Sequence, residues 1–414
     1  MSERNLDFDS IIERKGTYSL KYDFTSERGK PEDVLPFWVA DMDFRQSSYI
    51  EDALISQVKH GILGYSETKP QDGYTEAVIG WFKRHHDWEI SPSTIVKTPG
   101  VVFGIALAIS AFTEKGDGVL IQEPVYYPFK ETIVANERRT VINELRIDAG
   151  GNYHIDFEDF EKKITEENVK LFLLCNPHNP VGRVWSRDEL AKLAEICLKH
   201  DVLVFSDEIH SDFVYEDGFG NLTGFEDTGK VEHTVFATIS KEISDITITG
   251  TSPSKTFNIA GLQISNIIIP NGRLRSSYKR KLDAFGYSQV SIAGIVGCEA
   301  AYANGDVWYE AMKSYVEENI RFTIDYVNQY IPKVKVIKPQ GTYLVWLDFK
   351  SLLLNRDSLR FLLMDKAKVW LDHGEIFGES GSGYVRINVA CPRKLLEEGL
   401  IRIKKAVDTL IFGI

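Results

Sequence analysis

Five short apolar runs punctuate the middle of the chain: GVLIQ (118–122), VKLFLLC (169–175), DVLVFSD (201–207), TVFATI (234–239) and SNIIIP (265–270). Each is nearly continuous rather than alternating and rich in β-branched residues, which suits strands covered on both faces of a mainly parallel sheet. Between them the period becomes helical. In SRDELAKLAEICLKH (186–200), Leu190, Leu193, Ala194 and Cys197 recur at helical spacing, and Ser186 precedes Glu189 by three, a capping-box pattern. PGVVFGI (99–105) reads as a glycine-containing turn opening an apolar helix. Strand and helix in alternation predict an α/β domain. After about residue 286 the pattern changes. One long helix is expected over 306–331, ending at Pro332. Strand-like TYLVWLDF (342–349), a helical stretch near 357–368, strand-like YVRINVA (384–390) and a final helix from about Pro392 follow. This predicts a separate, smaller α+β unit.

Charge and cysteine usage narrow the function classes. The formal net charge is −12, and the densest basic cluster, Lys279-Arg280-Lys281, is short and followed by Asp283. Phosphate backbones need a basic face, so nucleic acid is not the expected partner. Cys175, Cys197, Cys298 and Cys391 are scattered without metal-like spacing, as expected of free thiols in a reducing compartment. MSERNLDFDS lacks the apolar stretch of a signal peptide, and Val101–Phe112, the longest apolar run, is too short for a membrane span. A cytoplasmic protein is expected.

The chemistry centres on TGTSPSKTFNIAGLQ (249–263), where Lys255 sits alone among small and hydroxylated residues. A lysine desolvated in such a turn becomes a nucleophile able to form a Schiff base; a solvated loop lysine is the plain alternative. Four further motifs accompany it. CNPHNPVGRVW (175–185) forces an irregular turn after a strand, where open α/β sheets bind ligands. FSDEIHSDF (205–213) leaves Asp207 where a carboxylate needs a cationic partner, unless it only caps a helix. The amides opening the helix after Pro99-Gly100 could hold a phosphate, as at many helix starts. Arg386 interrupts an alternating strand and could clamp a carboxylate, although a lone strand arginine more often faces solvent.

The order of these motifs (glycine turn, EPVYYPF at 123–129, NPHNPVG, DEIH, SPSK, strand arginine) resembles that of the fold-type I pyridoxal 5′-phosphate (PLP) enzymes, the aspartate aminotransferase superfamily. The resemblance covers nearly the whole chain. FWVADMDF (37–44), SDEIHSDF and SPSKTFNIAGLQ are similar to the cystathionine β-lyase / cysteine-S-conjugate β-lyase branch. It implies a large PLP-binding α/β domain over 46–286, and a small α+β domain made of 287–414 with the N-terminal segment 1–45. It further implies that Lys255 bonds the cofactor and then moves the α-proton. Asp207 would pair with the pyridine nitrogen, Asn179 would donate to the phenolic oxygen with His210 nearby, and Tyr126 would stack on the ring. Val101, Val102, Ser252 and Ser254 would cradle the phosphate; Arg386 and Ala40 would meet the substrate. Tyr65, in GILGYSETKP (61–70), would reach the phosphate of a neighbouring subunit, which implies a homodimer. Many aminotransferases of the superfamily carry an arginine eight residues after the lysine. Gln263 stands there instead, a departure shared with the lyase branch, and it leaves the phosphate charge without an obvious counter-ion.

The activity so implied is α,β-elimination from cystathionine or related L-cysteine S-conjugates, giving thiol, pyruvate and ammonia. An aminotransferase shares the early steps, and some members of the branch have a second, regulatory role. Sequence alone does not separate these.

Overall fold

The computed structural model describes residues 2–69 and 71–412. Its large sheet has seven strands: β1 (Ile95–Thr98), β2 (Gly118–Glu123), β3 (Arg139–Glu144), β4 (Val169–Cys175), β5 (Leu203–Asp207), β6 (Thr247–Thr251) and β7 (Ser265–Ile268). They lie in the order β1-β7-β6-β5-β4-β2-β3. β7 is antiparallel to both its neighbours, and the other pairings are parallel. The inner strands are buried almost throughout, as their continuous apolar runs require.

Parallel register decides where the motifs land. Cys175 pairs with Asp207, and Asp207 with Gly250. The turns that follow β4, β5 and β6 (Asn-Pro, Glu-Ile-His and Ser-Pro-Ser-Lys) therefore leave the sheet side by side at its carboxyl edge, the ligand-binding edge of open α/β sheets. The helix Val101–Phe112 packs close to β6. A Cβ on Gly250 would lie 2.8 Å from the Phe205 ring and 2.9 Å from Val101, so only glycine lets the helix start approach the sheet.

One expected strand is corrected. TVFATI (234–239) holds only a short 3₁₀ turn, Phe236–Thr238, and the strand lies further on at TITGT, Thr247–Thr251. Phe236 and Ala237 are apolar because that loop packs inward. The true strand is masked by threonines whose hydroxyls bond backbone, Thr247 to Ile243 and Thr251 to Asn266. β1 and β3, on the two edges of the sheet, were not expected from the sequence either.

The C-terminal expectations fall close to the observed elements. The long helix spans Asp306–Tyr330 and the last helix Arg393–Phe412. The stretch near 357–368 is a short helix, Arg356–Phe361, widening into a π turn over Leu362–Lys366. A four-stranded antiparallel sheet orders Lys335–Ile337, Leu344–Asp348, Tyr384–Asn388 and Asp372–His373. The N-terminal segment joins this sheet's surroundings: Leu35–Pro36 pairs with Val369–Trp370, and Asp43 N–H donates to Ala390. The segment between them passes Ala40 across the mouth of the large sheet. All four cysteines are buried free thiols. Among the described residues no helix is long and apolar enough to cross a membrane.

Candidate active site

A cavity of about 440 Å³ opens at the carboxyl edge of the large sheet. Lys255 forms part of its wall. It sits on a single helical turn, Pro253–Thr256, capped by the Ser252 side chain, which accepts from Ser254 N–H and donates to the Ile264 carbonyl at 2.7 Å. Lys255 is not a solvated loop residue. Its Nζ donates to the Ala40 carbonyl at 2.6 Å, and the Tyr343 hydroxyl donates to the same oxygen at 2.9 Å. Burial lowers the ammonium's pKa from 10.5 to about 8; Arg386 adds to the fall, while Asp41 and Asp207 oppose it. A lysine so placed has a neutral fraction usable near neutral pH.

Asp207, the last residue of β5, also lines the cavity. Burial raises its pKa to about 7, against the pull of the Ile209 N–H and Lys255. His210, three residues on, lines the same cavity and is fully buried. Its Nδ1 has no hydrogen-bond partner, and burial holds the ring neutral, its pKa far below the ordinary histidine value. Tyr126 borders the cavity too, its phenol pushed up by burial.

Another part of the cavity wall suits an anion. The helix Val101–Phe112 starts there after Gly100, with no side chain capping its first amides. Val102, Ser252 and Ser254 stand alongside. Uncapped amides at the start of a twelve-residue helix bind phosphate well, and the Ser254 hydroxyl stands beside them, while the Ser252 hydroxyl is given to the Ile264 carbonyl. Gln263 also lines the cavity, but its Nε2 turns back to the Ala260 carbonyl at 2.9 Å. Ala40 is a wall residue through its position beside Lys255.

Arg386 departs from the sequence picture. It is buried, not solvent-facing, and it is already engaged. Its Nη1 donates to Asn179 Oδ1 at 2.8 Å, and its Nη2 donates to the Trp38 carbonyl at 3.0 Å and to Asp372 Oδ2 at 2.5 Å. The guanidinium lies 4.8 Å from the Phe377 ring centroid, and its Nε is buried without a partner. Arg386 thus reaches the cavity through Asn179, which is a wall residue. Asp372 was missed in the sequence; the only signal was one acid inside the apolar run VWLDH. The Tyr343–Ala40 contact was missed as well, since a backbone acceptor leaves no trace in composition. Tyr65 lies elsewhere: it is 97% exposed, in a stretch without helix or strand.

These residues fit PLP. The uncapped helix start and Ser254 suit the phosphate, Asp207 is a buried carboxyl that Lys255 only partly offsets, His210 Nδ1 lacks a partner, and Lys255 is a desolvated amine within the same wall. With Asn179 Oδ1 taken by Arg386, its free end is the donor NH₂ that a phenolate oxygen would want.

The architecture is the fold-type I aminotransferase-like α/β fold. The chain belongs to the aminotransferase class I and II family, whose profile matches residues 32–403. Within it, the chain is 42% identical to the cystathionine β-lyase PatB of Bacillus subtilis (strain 168), over 97% of this chain and 100% of that protein. Two solved structures are similar. Cystalysin from Treponema denticola, which contains a PLP cofactor, has a TM-score of 0.90 at 38% identity, covering 98% of this chain and 99% of that one. A PLP-bound C–S lyase from Staphylococcus hominis, in complex with the inhibitor L-cycloserine, has a TM-score of 0.87 at 33% identity, covering 97% and 98%.

Proposed function

We propose that this protein is a PLP-dependent C–S β-lyase that cleaves L-cystathionine or related L-cysteine S-conjugates to a thiol, pyruvate and ammonia. The observation that carries the reading is the joint placement of a desolvated Lys255, a carboxylate-bearing Asp207 and an uncapped helix start in the wall of one cavity. PLP, when bound there, supplies a conjugated cationic ring that accepts the electron pair left on the substrate's Cα.

The chain's own groups do the rest. Asp207 would keep the ring nitrogen protonated, and Asn179, with the neutral His210 beside it, would serve the phenolic oxygen. Tyr126 would cover the ring face. The amides of Val101 and Val102 and the turn of Ser252 and Ser254 would hold the phosphate, which supplies in part what an arginine at Gln263 would give. Arg386 holds the α-carboxylate, and Ala40 borders the reacting carbon. Lys255 would be the amine that anchors the cofactor, and, once free, the base that takes the Cα proton. The Cα–H electron pair forms the Cα=Cβ bond as the Cβ–S bond breaks, the thiolate leaves and takes a proton, and hydrolysis of the released enamine gives pyruvate and ammonia.

The division into a 46–286 domain and a unit of 1–45 with 287–414, the homodimer with Tyr65 reaching the neighbouring phosphate, and a cytoplasmic location belong to the same proposal. The test is a visible spectrum of the purified protein before and after borohydride, followed by pyruvate assay on L-cystathionine with and without a 2-oxo acid. A chromophore lost on reduction and pyruvate formed without any acceptor support the reading. Keto acid formed only when an acceptor is present would make the protein an aminotransferase.

A further inference from the structure

The turn that carries Lys255 is four residues long, Pro253–Thr256, far below the length at which a helix holds itself. Its aim must come from outside. Ser252 anchors its start, and Thr256 anchors its end: Thr256 Oγ1 donates to Asp212 Oδ2 at 2.5 Å. Asp212 is a hub rather than a simple acceptor. Its other oxygen takes the Trp81 indole N–H at 3.2 Å and His86 Nε2 at 2.8 Å, both from the helix Gly73–His86. Its backbone carbonyl takes the Tyr309 hydroxyl at 2.6 Å, from the helix Asp306–Tyr330.

The pair is sealed from water, with 5% exposure for each of the Asp212 and His86 side chains. Burial pushes the Asp212 carboxyl up, and His86 and Thr256 together hold it below the ordinary range, so it stays ionised. A buried aspartate with three partners on its carboxylate and a fourth on its carbonyl cannot shift without losing several at once. Asp212 also sits five residues after Asp207 and two after His210, on the turn that presents both to the cavity. It therefore ties the Asp207 turn to the Lys255 turn through one hydrogen bond.

We propose that Asp212 is a positioning residue for the lyase reaction, aiming Lys255 through the Thr256 hydroxyl and fixing its distance from the Asp207–His210 turn. The inference rests on Lys255 being the reacting amine. Without the bond, the last half-turn is free to rotate and the amine leaves its attack geometry, a misplacement that costs rate rather than binding.

The test uses Thr256→Val, which keeps shape and removes the hydroxyl, and Thr256→Ser, which restores it; Thr256→Ala serves if valine disturbs the fold. Two quantities are read: the rate at which added PLP and borohydride trap Lys255, followed by mass of its peptide, and kcat against KM for pyruvate release. Melting temperature checks the fold. The expected result is a folded valine or alanine variant with kcat and trapping rate lower by about tenfold to a hundredfold and KM little changed. Serine is expected to recover both to within about threefold of wild type. Hydroxyl-free variants that match wild type, or a serine variant as slow as valine, overturn the proposal. A wild-type chain that traps nothing at Lys255 overturns the lyase reading itself, and this inference with it.

Discussion

At the scale of single residues, burial and chemistry conflict most at Asp207. Its carboxyl titrates near 7 in the folded chain against 3.8 when exposed. Between those values the folded protein holds a proton that the unfolded chain has lost, so stability without cofactor falls as pH rises from about 4 to 7. Lys255 acts in a different window. Its pKa falls from 10.5 to about 8, so it adds stability only as pH rises above 8. Asp207→Asn should therefore stabilise the cofactor-free protein at pH 8 by on the order of 1–3 kcal/mol and flatten its pH dependence. The same change should lower turnover by about a hundredfold or more. Melting curves of both proteins from pH 5 to 8 read the first effect; an unchanged slope would mean Asp207 is solvated. At Arg386 the clamp is built but shared, since Asp372, Trp38 and Asn179 already hold it. Arg386→Lys should keep PLP bound and lower kcat/KM by about tenfold to a thousandfold, because lysine cannot hold several planar partners at once. Loss of PLP itself would make Arg386 a cofactor anchor. That Lys255, Asp207 and His210 line one cavity was legible because motif order groups them. Asp372 and Asp212 were not, because their significance lies in partners more than ten residues away that only folding supplies.

At the scale of elements, the apolar runs identified four of the seven strands of the large sheet because those strands are buried on both faces. β6 was hidden for a reason tied to function. It ends at the Ser-Pro-Ser-Lys turn and runs beneath the helix start proposed to hold the phosphate, so it carries Gly250 where an apolar strand would carry a side chain. Periodicity reads side chains, and a close backbone approach removes them. This makes Gly250 an element-scale test. Gly250→Ala should force the Val101–Phe112 helix away from the sheet and destabilise the protein by about 1–3 kcal/mol, typical of overpacking. It should also weaken PLP binding, by about tenfold for a loss of 1.4 kcal/mol at the cradle. Spectral titration of the apoprotein measures this. Unaltered affinity together with unaltered melting would mean that the helix start takes no part in holding the cofactor.

At the scale of the whole molecule, four of the exposed apolar residues fall together. Val58 (66% exposed), Ile62 (69%), Leu63 (63%) and Tyr65 (97%) follow one another at the end of the helix Ser48–His60 and just after it. Such a run is a surface of the kind that a second copy would cover. The proposed homodimer supplies that cover and brings Tyr65 to the neighbouring cavity. Sedimentation should give twice the 47.0 kDa chain mass, and Leu63→Asp should shift the protein toward monomer with weaker PLP retention. A single-chain mass at full activity would remove Tyr65 from the site. The change of pattern near residue 286 falls between the strands of the seven-stranded sheet and those of the four-stranded one. The path of the N-terminal segment, which brings the Ala40 carbonyl to Lys255, was not, since it depends on pairing across more than two hundred residues.

The most direct test of the central claim follows thiol and pyruvate together from L-cystathionine, with PLP present and 2-oxo acid omitted, for wild type and Lys255→Ala. The account predicts that wild type releases the two products in equal amounts over many turnovers and that Lys255→Ala, still folded, releases neither. Sustained release by Lys255→Ala, or thiol-free keto acid from wild type, would contradict it.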